Sequence, residues 1–302
     1  MAATGGNEGQ MRIICAGSRT LGERISLLRA TQNPDGGWAY ERGSSWTEPT
    51  AFCLLALAGE PECATAIGKG VQWLETRQRR DGGWPPHPSV DRSTWVTALA
   101  ALVLCAYQKS SGLDGATQWL ARQTGEESTM IERLRRMLLG ARMEAGEGTT
   151  GWPWYPGAAA WVMPTAMTML ALEQMGRSGG KSGWQERVGS GRQFLLARRC
   201  RDGGWNHGGS KALGYDAGSY PDTTGVALLA LRGAQSPQIA AAVARAQQHW
   251  RDCRSAQGLS WLYLGLRAHG KEPAETKPCR LDARNTLDLA LTSLAEKGWL
   301  TA

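Results

Sequence analysis

The chain has almost no phenylalanine, two residues in 302, against fourteen tryptophans. A bias this strong points to tryptophan fixed at recurring positions by a repeat. Histidine is nearly as scarce, so any imidazole-based metal centre must draw on His87, His207, His249 and His269. None of the seven cysteines falls in a Cys-x-x-Cys pair and their number is odd, which argues against a disulfide framework and for a reduced, cytoplasmic setting. No apolar run approaches the roughly eighteen residues of a membrane span, and residues 1–20 lack the apolar core of a secretory signal. The expectation is a protein that neither spans a membrane nor is exported, with at most peripheral membrane contact. Zinc-finger, RNA-binding and helix-turn-helix patterns are also missing, which excludes nucleic acid as a partner. The net charge of +7 then reads as a solvated basic surface, or as attraction to diphosphate or anionic lipid.

What is present is ordinary in bulk and unusual in order. Apolar residues make up 42% and charged residues 20%, enough to bury a sizeable core. One phrase recurs: QNPDGGW from Gln32 to Trp38, QRRDGGW from Gln78 to Trp84, and RCRDGGW from Arg199 to Trp205. Before the second copy, Lys69-Gly70-Val71-Gln72-Trp73-Leu74 leads into Gln78, Ala116 to Leu120 leads likewise into Gln123, and Gly191 to Leu195 leads into Arg199. Apolar spacings of three and four make these lead-ins helices. The Gly-Gly that follows stops them, because glycine takes a positive φ without a Cβ penalty. The Trp after the turn can fold back on the helix end, where the Gln amide could meet freed carbonyls or the indole edge.

After each turn comes a second kind of helix, starting at Thr47 (TEPTAFCLLAL), Trp95 (WVTALAALVL), Val162 (VMPTAMTMLAL) and Pro221 (PDTTGVALLAL). These bodies lack a polar face, as expected of helices buried on every side. Pro49 and Pro164 suit a first helical turn, where no N–H partner is lost. Periods of 46 residues from Trp38 to Trp84 and 53 from Trp152 to Trp205 fit helical-hairpin repeats. The third unit carries an insertion from Thr124 to Thr150, in which Met130, Ile131, Leu134, Met137 and Leu138 form one apolar stripe, read as an extra packing helix or as a lid or membrane-contact helix. The fifth unit is degenerate, with Ala246 to Cys253 outside and Gln257 to Ala268 inside, and Asp282 to Lys297 forms a last helix. The expected architecture is all-α: a flexible tail over 1–20, then one α/α toroid over 21–302 made of about five helical hairpins plus a terminal helix, closed on itself.

The pattern Lys69-Gly70-x-x-Trp73-Leu74-x-x-x-Gln78-x-x-x-Gly82-x-Trp84 resembles the QW motif of squalene-hopene and oxidosqualene cyclases, and the series of copies resembles their toroid, shared with the β-subunits of protein prenyltransferases. The resemblance implies a central apolar cavity and an isoprenoid-handling enzyme, of cyclase or transferase type. A fold of this kind can instead be a non-catalytic toroid that binds a lipid or a partner protein. The cyclases' Asp-x-Asp-Asp-Thr acid segment is matched here by Tyr220-Pro221-Asp222-Thr223-Thr224, which keeps only the central carboxylate. The prenyltransferase zinc site needs an Asp and a Cys close in sequence and a later His, for which Asp252, Cys253 and His269 are present in an unrelated context. No Asp-Asp-x-x-Asp magnesium motif exists, so neither zinc nor magnesium is expected.

Aligning the inner-helix starts on a shared Thr puts Glu48, Trp95, Met163, Asp222 and Gln257 at equivalent positions around one mouth of the barrel. Two carboxylates among aromatic and thioether neighbours suit the guidance of a carbocation. Glu48 and Asp222 are equally readable as helix N-terminal caps. His207, in the loop entering the Asp222 helix, is a candidate proton relay. Trp154, Tyr155, Trp161 and Tyr220, with Trp95, Met163 and Gln257, are candidates for lining an isoprenoid pocket.

Overall fold

A computed structural model describes residues 19–126, 149–177, 184–208, 211–212, 215–273 and 285–301. Five helices form an outer layer: α1 (Leu21–Ala30), α3 (Ala64–Glu75), α5 (Leu113–Arg122), α7 (Gln185–Ala197) and α9 (Pro237–Asp252). Six form an inner layer: α2 (Thr47–Leu57), α4 (Val96–Ala106), α6 (Val162–Arg177), α8 (Pro221–Ala230), α10 (Ala256–Arg267) and α11 (Thr286–Lys297). The inner helices pack in the cyclic order α2, α4, α6, α8, α10, α11 and back to α2, which closes the ring. Ala51 to Leu57, Val96 to Leu104 and Thr223 to Leu231 are buried without interruption, as the absence of a polar face requires. Strand is confined, among the described residues, to two short ribbons, one pairing β1 (Trp152–Pro153) with β2 (Ala160–Trp161), the other β3 (Lys211–Ala212) with β4 (Tyr215–Asp216), and to isolated bridges between Trp38 and Trp46 and between Trp84 and Thr94. The last outer helix starts at Pro237, nine residues before the expected Ala246, because Ser236 caps the Ile239 amide and proline occupies the first turn.

The repeated phrase is a set of hydrogen bonds. The indole N–H of Trp38, Trp84, Trp152 and Trp205 donates to the carbonyl of Leu28, Leu74, Leu120 and Leu195, at 2.6–2.8 Å, closing the C-terminal ends of α1, α3, α5 and α7. The backbone N–H of the same four residues donates to Thr50, Thr97, Thr165 and Thr224 Oγ1 in the first turn of the next inner helix. Gly82 holds φ at 91°, open to glycine at little cost. Gly70 is fixed by contact: a Cβ there would come 2.8 Å from the Trp38 ring. Gln32 and Gln78 donate both to their own turn, at Gly36 O and Gly82 O, and to the next outer helix start, at Ala66 O and Gly112 O. The amide thus bonds carbonyls, joining successive units. Gln123 does not: it follows Trp119 by four residues where Gln78 follows Trp73 by five, and its amide turns back on the Trp119 carbonyl.

A second repeated bond joins the inner helices to one another. The first amides of α2, α4, α6 and α11, at Thr47, Trp95, Val162 and Thr286, donate to the carbonyls of Pro86, Trp154, His207 and Tyr40. Each acceptor lies two residues after the repeat Trp of a neighbouring unit, and the Tyr40 bond carries the series across the junction between the last helix and the first. The α8 position has Pro221, with no N–H to satisfy. That matches the missing turn of the fifth unit, which has no carbonyl to offer. The junction is tightened by Lys297, whose Nζ bonds Ala56 O and Ala58 O at the end of α2 and pairs with Glu60 at 2.5 Å, and by Arg24, paired with Glu296.

Candidate functional site

The helices α2, α4, α6 and α8 follow turns of the same kind, the start of α10 lies against Pro221 at Gly258, and the start of α11 bonds Tyr40 O, so the inner N-termini gather at one mouth. Glu48, Trp95, Met163, Asp222 and Gln257 stand there at the starts of five different helices, each partly exposed. In a ring of six, α2 and α8 are opposite. With neighbouring axes about 8–10 Å apart, the two axes stand roughly 16–20 Å apart, so Glu48 and Asp222 occupy facing walls and do not form a carboxylate pair.

Neither acid is an N-cap. The cap positions of α2 and α8 are Trp46 and Tyr220, without side-chain cap bonds, and the acids follow inside the first turn. The Thr47 amide that opens α2 is served by Pro86 O, and α8 opens on Pro221, which has no N–H to satisfy. Glu48 accepts a hydrogen bond from Tyr40 Oη, and burial raises its pKa above the ordinary carboxylate value against the lowering effect of that bond. Burial, reinforced by Glu48, also keeps the Tyr40 phenol protonated as the donor. Asp222 has different company: its charge is felt at His249 and Cys253, on the outer side of α8.

Aromatic rings continue along the mouth. Trp95 meets Trp154 edge-on at 4.8 Å, Trp154 meets Trp161 at 6.3 Å, Trp161 meets His207 at 5.6 Å and His207 meets Tyr220 at 5.1 Å. Across the junction Tyr40, Trp46 and His87 form a shorter row. The His207 ring therefore lies between Trp161 and Tyr220 and makes no hydrogen bond to Asp222, while its carbonyl caps α6. Tyr155 is exposed and lies under the Arg92 guanidinium. Deeper in the ring Phe52, Trp261 and Trp299 pack against one another at 6.0–6.4 Å.

Two further groupings of reactive side chains have structural explanations. Ser219 Oγ lies 2.7 Å from His249 Nε2 and 2.9 Å from Asp202 Oδ2, with Arg245 Nε 3.2 Å from both Ser219 Oγ and Asp202 Oδ2. The serine stands between the other two, the wrong order for an activated nucleophile. The same lattice recurs in the first unit as Asp35, Ser45, Trp73 and Arg77, so this is the repeat's turn with Arg245 and His249 in place of Trp73 and Arg77. Asp252 and Cys253 precede α10 and His269 follows it, at Leu228 O. Twelve helical residues, about 18 Å, keep them from sharing a metal. No cluster of three metal-ligating residues occurs among the described residues, and no helix there is long and apolar enough to cross a membrane. The insertion stripe from Met130 to Leu138 lies outside the described residues.

Residues 16–133 match the squalene-hopene cyclase C-terminal domain. Squalene-hopene cyclase of Zymomonas mobilis is 29% identical over 125 residues, 36% of this chain and 19% of that protein. Drimenyl diphosphate synthase of Streptantibioticus cattleyicolor is 29% identical over 220 residues, 70% of this chain and 37% of that protein. The matches thus span well under two thirds of these relatives' length. A variant of the type II terpene cyclase MstE from Scytonema, in complex with merosterolic acid A, superimposes with a TM-score of 0.56 at 17% identity, covering 91% of this chain and 78% of that one, a likeness of fold alone. Periodic QW phrases, the match to a cyclase domain over residues 16–133 and an α/α toroid like that of a type II terpene cyclase make this chain similar to the squalene-hopene cyclase-like superfamily.

Proposed function

We propose that the protein is a terpene-cyclase-type enzyme that works on an isoprenoid chain at the mouth of the inner ring. The observation that carries this reading is the half-buried Glu48–Tyr40 pair on a rim lined largely by π faces. A proton donor to an alkene must be neutral before it acts and well solvated afterwards. Burial favours the neutral carboxyl of Glu48, and the Tyr40 hydroxyl is already placed to stabilise the carboxylate left behind. The band Trp95, Trp154, Trp161, His207 and Tyr220 offers electron-rich surfaces to a developing cation, and Asp222 on the far wall supplies negative charge. Asp222 lacks the neighbouring acids that would make it the donor, since Tyr220 and Thr223 stand where carboxylates would be needed. Neither metal nor other cofactor enters this scheme. The relatives' names, which concern squalene and a terpenoid diphosphate, support the substrate class.

The test is incubation of the purified protein with squalene and with geranylgeranyl diphosphate, followed by gas chromatography and mass spectrometry. A cyclised product from either supports the reading. Unchanged substrate in both, with no isoprenoid in the protein as purified from its source, overturns it. The packing of Phe52, Trp261 and Trp299 inside the ring favours a second reading, a non-catalytic toroid that binds a lipid or partner protein. Mass spectrometry of lipid co-purifying with an inactive protein would separate the two.

A further inference from the structure

The rim opposite the mouth, where the inner helices end, has a pocket of about 450 Å³ lined by Glu173, Gly176, Arg177, Trp184, Arg192 and Arg232. Three guanidinium groups here surround a single carboxylate. Arg232 lies 2.8 Å from Glu173 Oε2 and Arg192 3.5 Å from Oε1. The Arg232 side chain is only 9% exposed, and its buried NH2 group makes no well-aligned hydrogen bond among the described residues despite that approach. Burial disfavours its charge, Glu173 supports it, and both Arg177 and Arg192 stand close enough to oppose it. One carboxylate cannot neutralise three arginines. Trp184 forms an apolar wall beside them, pressed so closely on α6 that a Cβ at Gly176 would come 1.9 Å from its ring.

We propose that this pocket binds a phosphoryl or diphosphoryl group, a second site separate from the mouth. Arginine is suited to it, because its planar fork meets phosphate oxygens with paired, charge-assisted hydrogen bonds. A dianion here would balance the excess positive charge and relieve the repulsion that Arg177 and Arg192 exert on Arg232. The group could come from a soluble phosphate ester or from the headgroup of an anionic lipid, which share this chemistry.

Two binding measurements on the full chain decide it: calorimetric titration with inorganic pyrophosphate, and sedimentation with phosphatidylcholine vesicles with and without phosphatidylglycerol. The variants are Arg177→Ala and Arg192→Ala, both exposed and so compatible with folding, with exposed Arg80→Ala as the control for net charge. Saturable pyrophosphate binding, weakened at least tenfold by either pocket variant and less than twofold by Arg80→Ala, supports a soluble phosphate ligand. Binding only to vesicles containing phosphatidylglycerol, lost in the pocket variants and kept in the control, supports a lipid headgroup. Absence of both kinds of binding, or equal effects of all three variants, overturns the proposal. Since neither readout involves turnover, the result stands apart from that at the mouth.

Discussion

Trp84 joins three pieces of chain: its indole N–H holds the end of α3 at Leu74 O, its amide holds Thr97 in α4, and its carbonyl receives the Thr94 N–H. Trp84→Ala should therefore cost about 3–5 kcal/mol, as for a large buried aromatic, and Thr97→Val about 1–3 kcal/mol for an unpaired buried amide. Urea denaturation measures both, and a loss below about 1 kcal/mol in Trp84→Ala would contradict the packing. These tryptophans were legible in the sequence because the repeat sets them in the same place each time. The Glu48–Tyr40 pair was only half legible. Glu48 could be placed by alignment, but its partner lies two residues after a repeat Trp, and nothing in linear spacing says that the phenol turns to the next helix. That pair gives a signed pH effect. An exposed Glu in the unfolded chain titrates near about 4.3, whereas the folded carboxyl titrates higher because it is buried. Between those two values the folded state binds more protons, so Glu48 lowers stability as pH rises. Glu48→Gln keeps an acceptor for Tyr40 without the charge. Its stability relative to the wild type should be flat below about pH 4.3 and increase through that window, as read from urea midpoints across the pH range. A difference that stays constant or shrinks would exclude a raised Glu48.

Helices α8 and α10 show what the periodic pattern leaves out. They approach until backbone touches backbone: a Cβ on Gly225 would stand 2.2 Å from the Trp261 carbonyl carbon, and one on Gly265 would stand 2.4 Å from Gly225 O. Overpacking a core typically costs about 1–3 kcal/mol and sometimes more, and here the obstacle is main chain that cannot rotate away. Gly225→Ala should reach or exceed the top of that range in a denaturation curve, while Gly22→Ala, with open space around it, should be close to neutral. Similar effects at the two sites would mean that the helices are not held at this distance. Nothing in the apolar run around Gly225 marks it in the sequence, since close approach depends on the partner helix, which has no signature of its own. The early start of α9 carried a signal of its own, since Ile239, Ala242, Val243 and Ala246 keep the three-and-four spacing and are buried, with Ser236 as the cap; what is missing there is the repeated phrase. Inner-helix starts were legible because Thr and the turn recur together. Where the repeat slips by one residue, as at Gln123, the phrase persists while its hydrogen bonds change.

At the scale of the whole ring, the mouth belongs to several units at once. The carbonyl two residues after each repeat Trp fixes the start of a neighbouring inner helix, and that same loop position carries Tyr40, Trp154 and His207. The contacts that close the toroid therefore also set the rim of the candidate site. Closure puts Glu48 and Asp222 on facing helices, so their contributions to a reaction should differ in kind. If Glu48 delivers the proton, Glu48→Gln removes turnover entirely, because Gln has no acidic proton to give. Asp222 across the ring would act only through its charge on the cation, and Asp222→Asn should slow product formation by an amount that grows as ionic strength falls, without abolishing it. Both variants should fold, since neither acid caps its helix. Measuring product from the active substrate at two salt concentrations separates the roles. Full activity in Glu48→Gln with none in Asp222→Asn would move the donor to α8, and equal partial losses in both would mean that the mouth supplies electrostatic guidance while the proton comes from elsewhere.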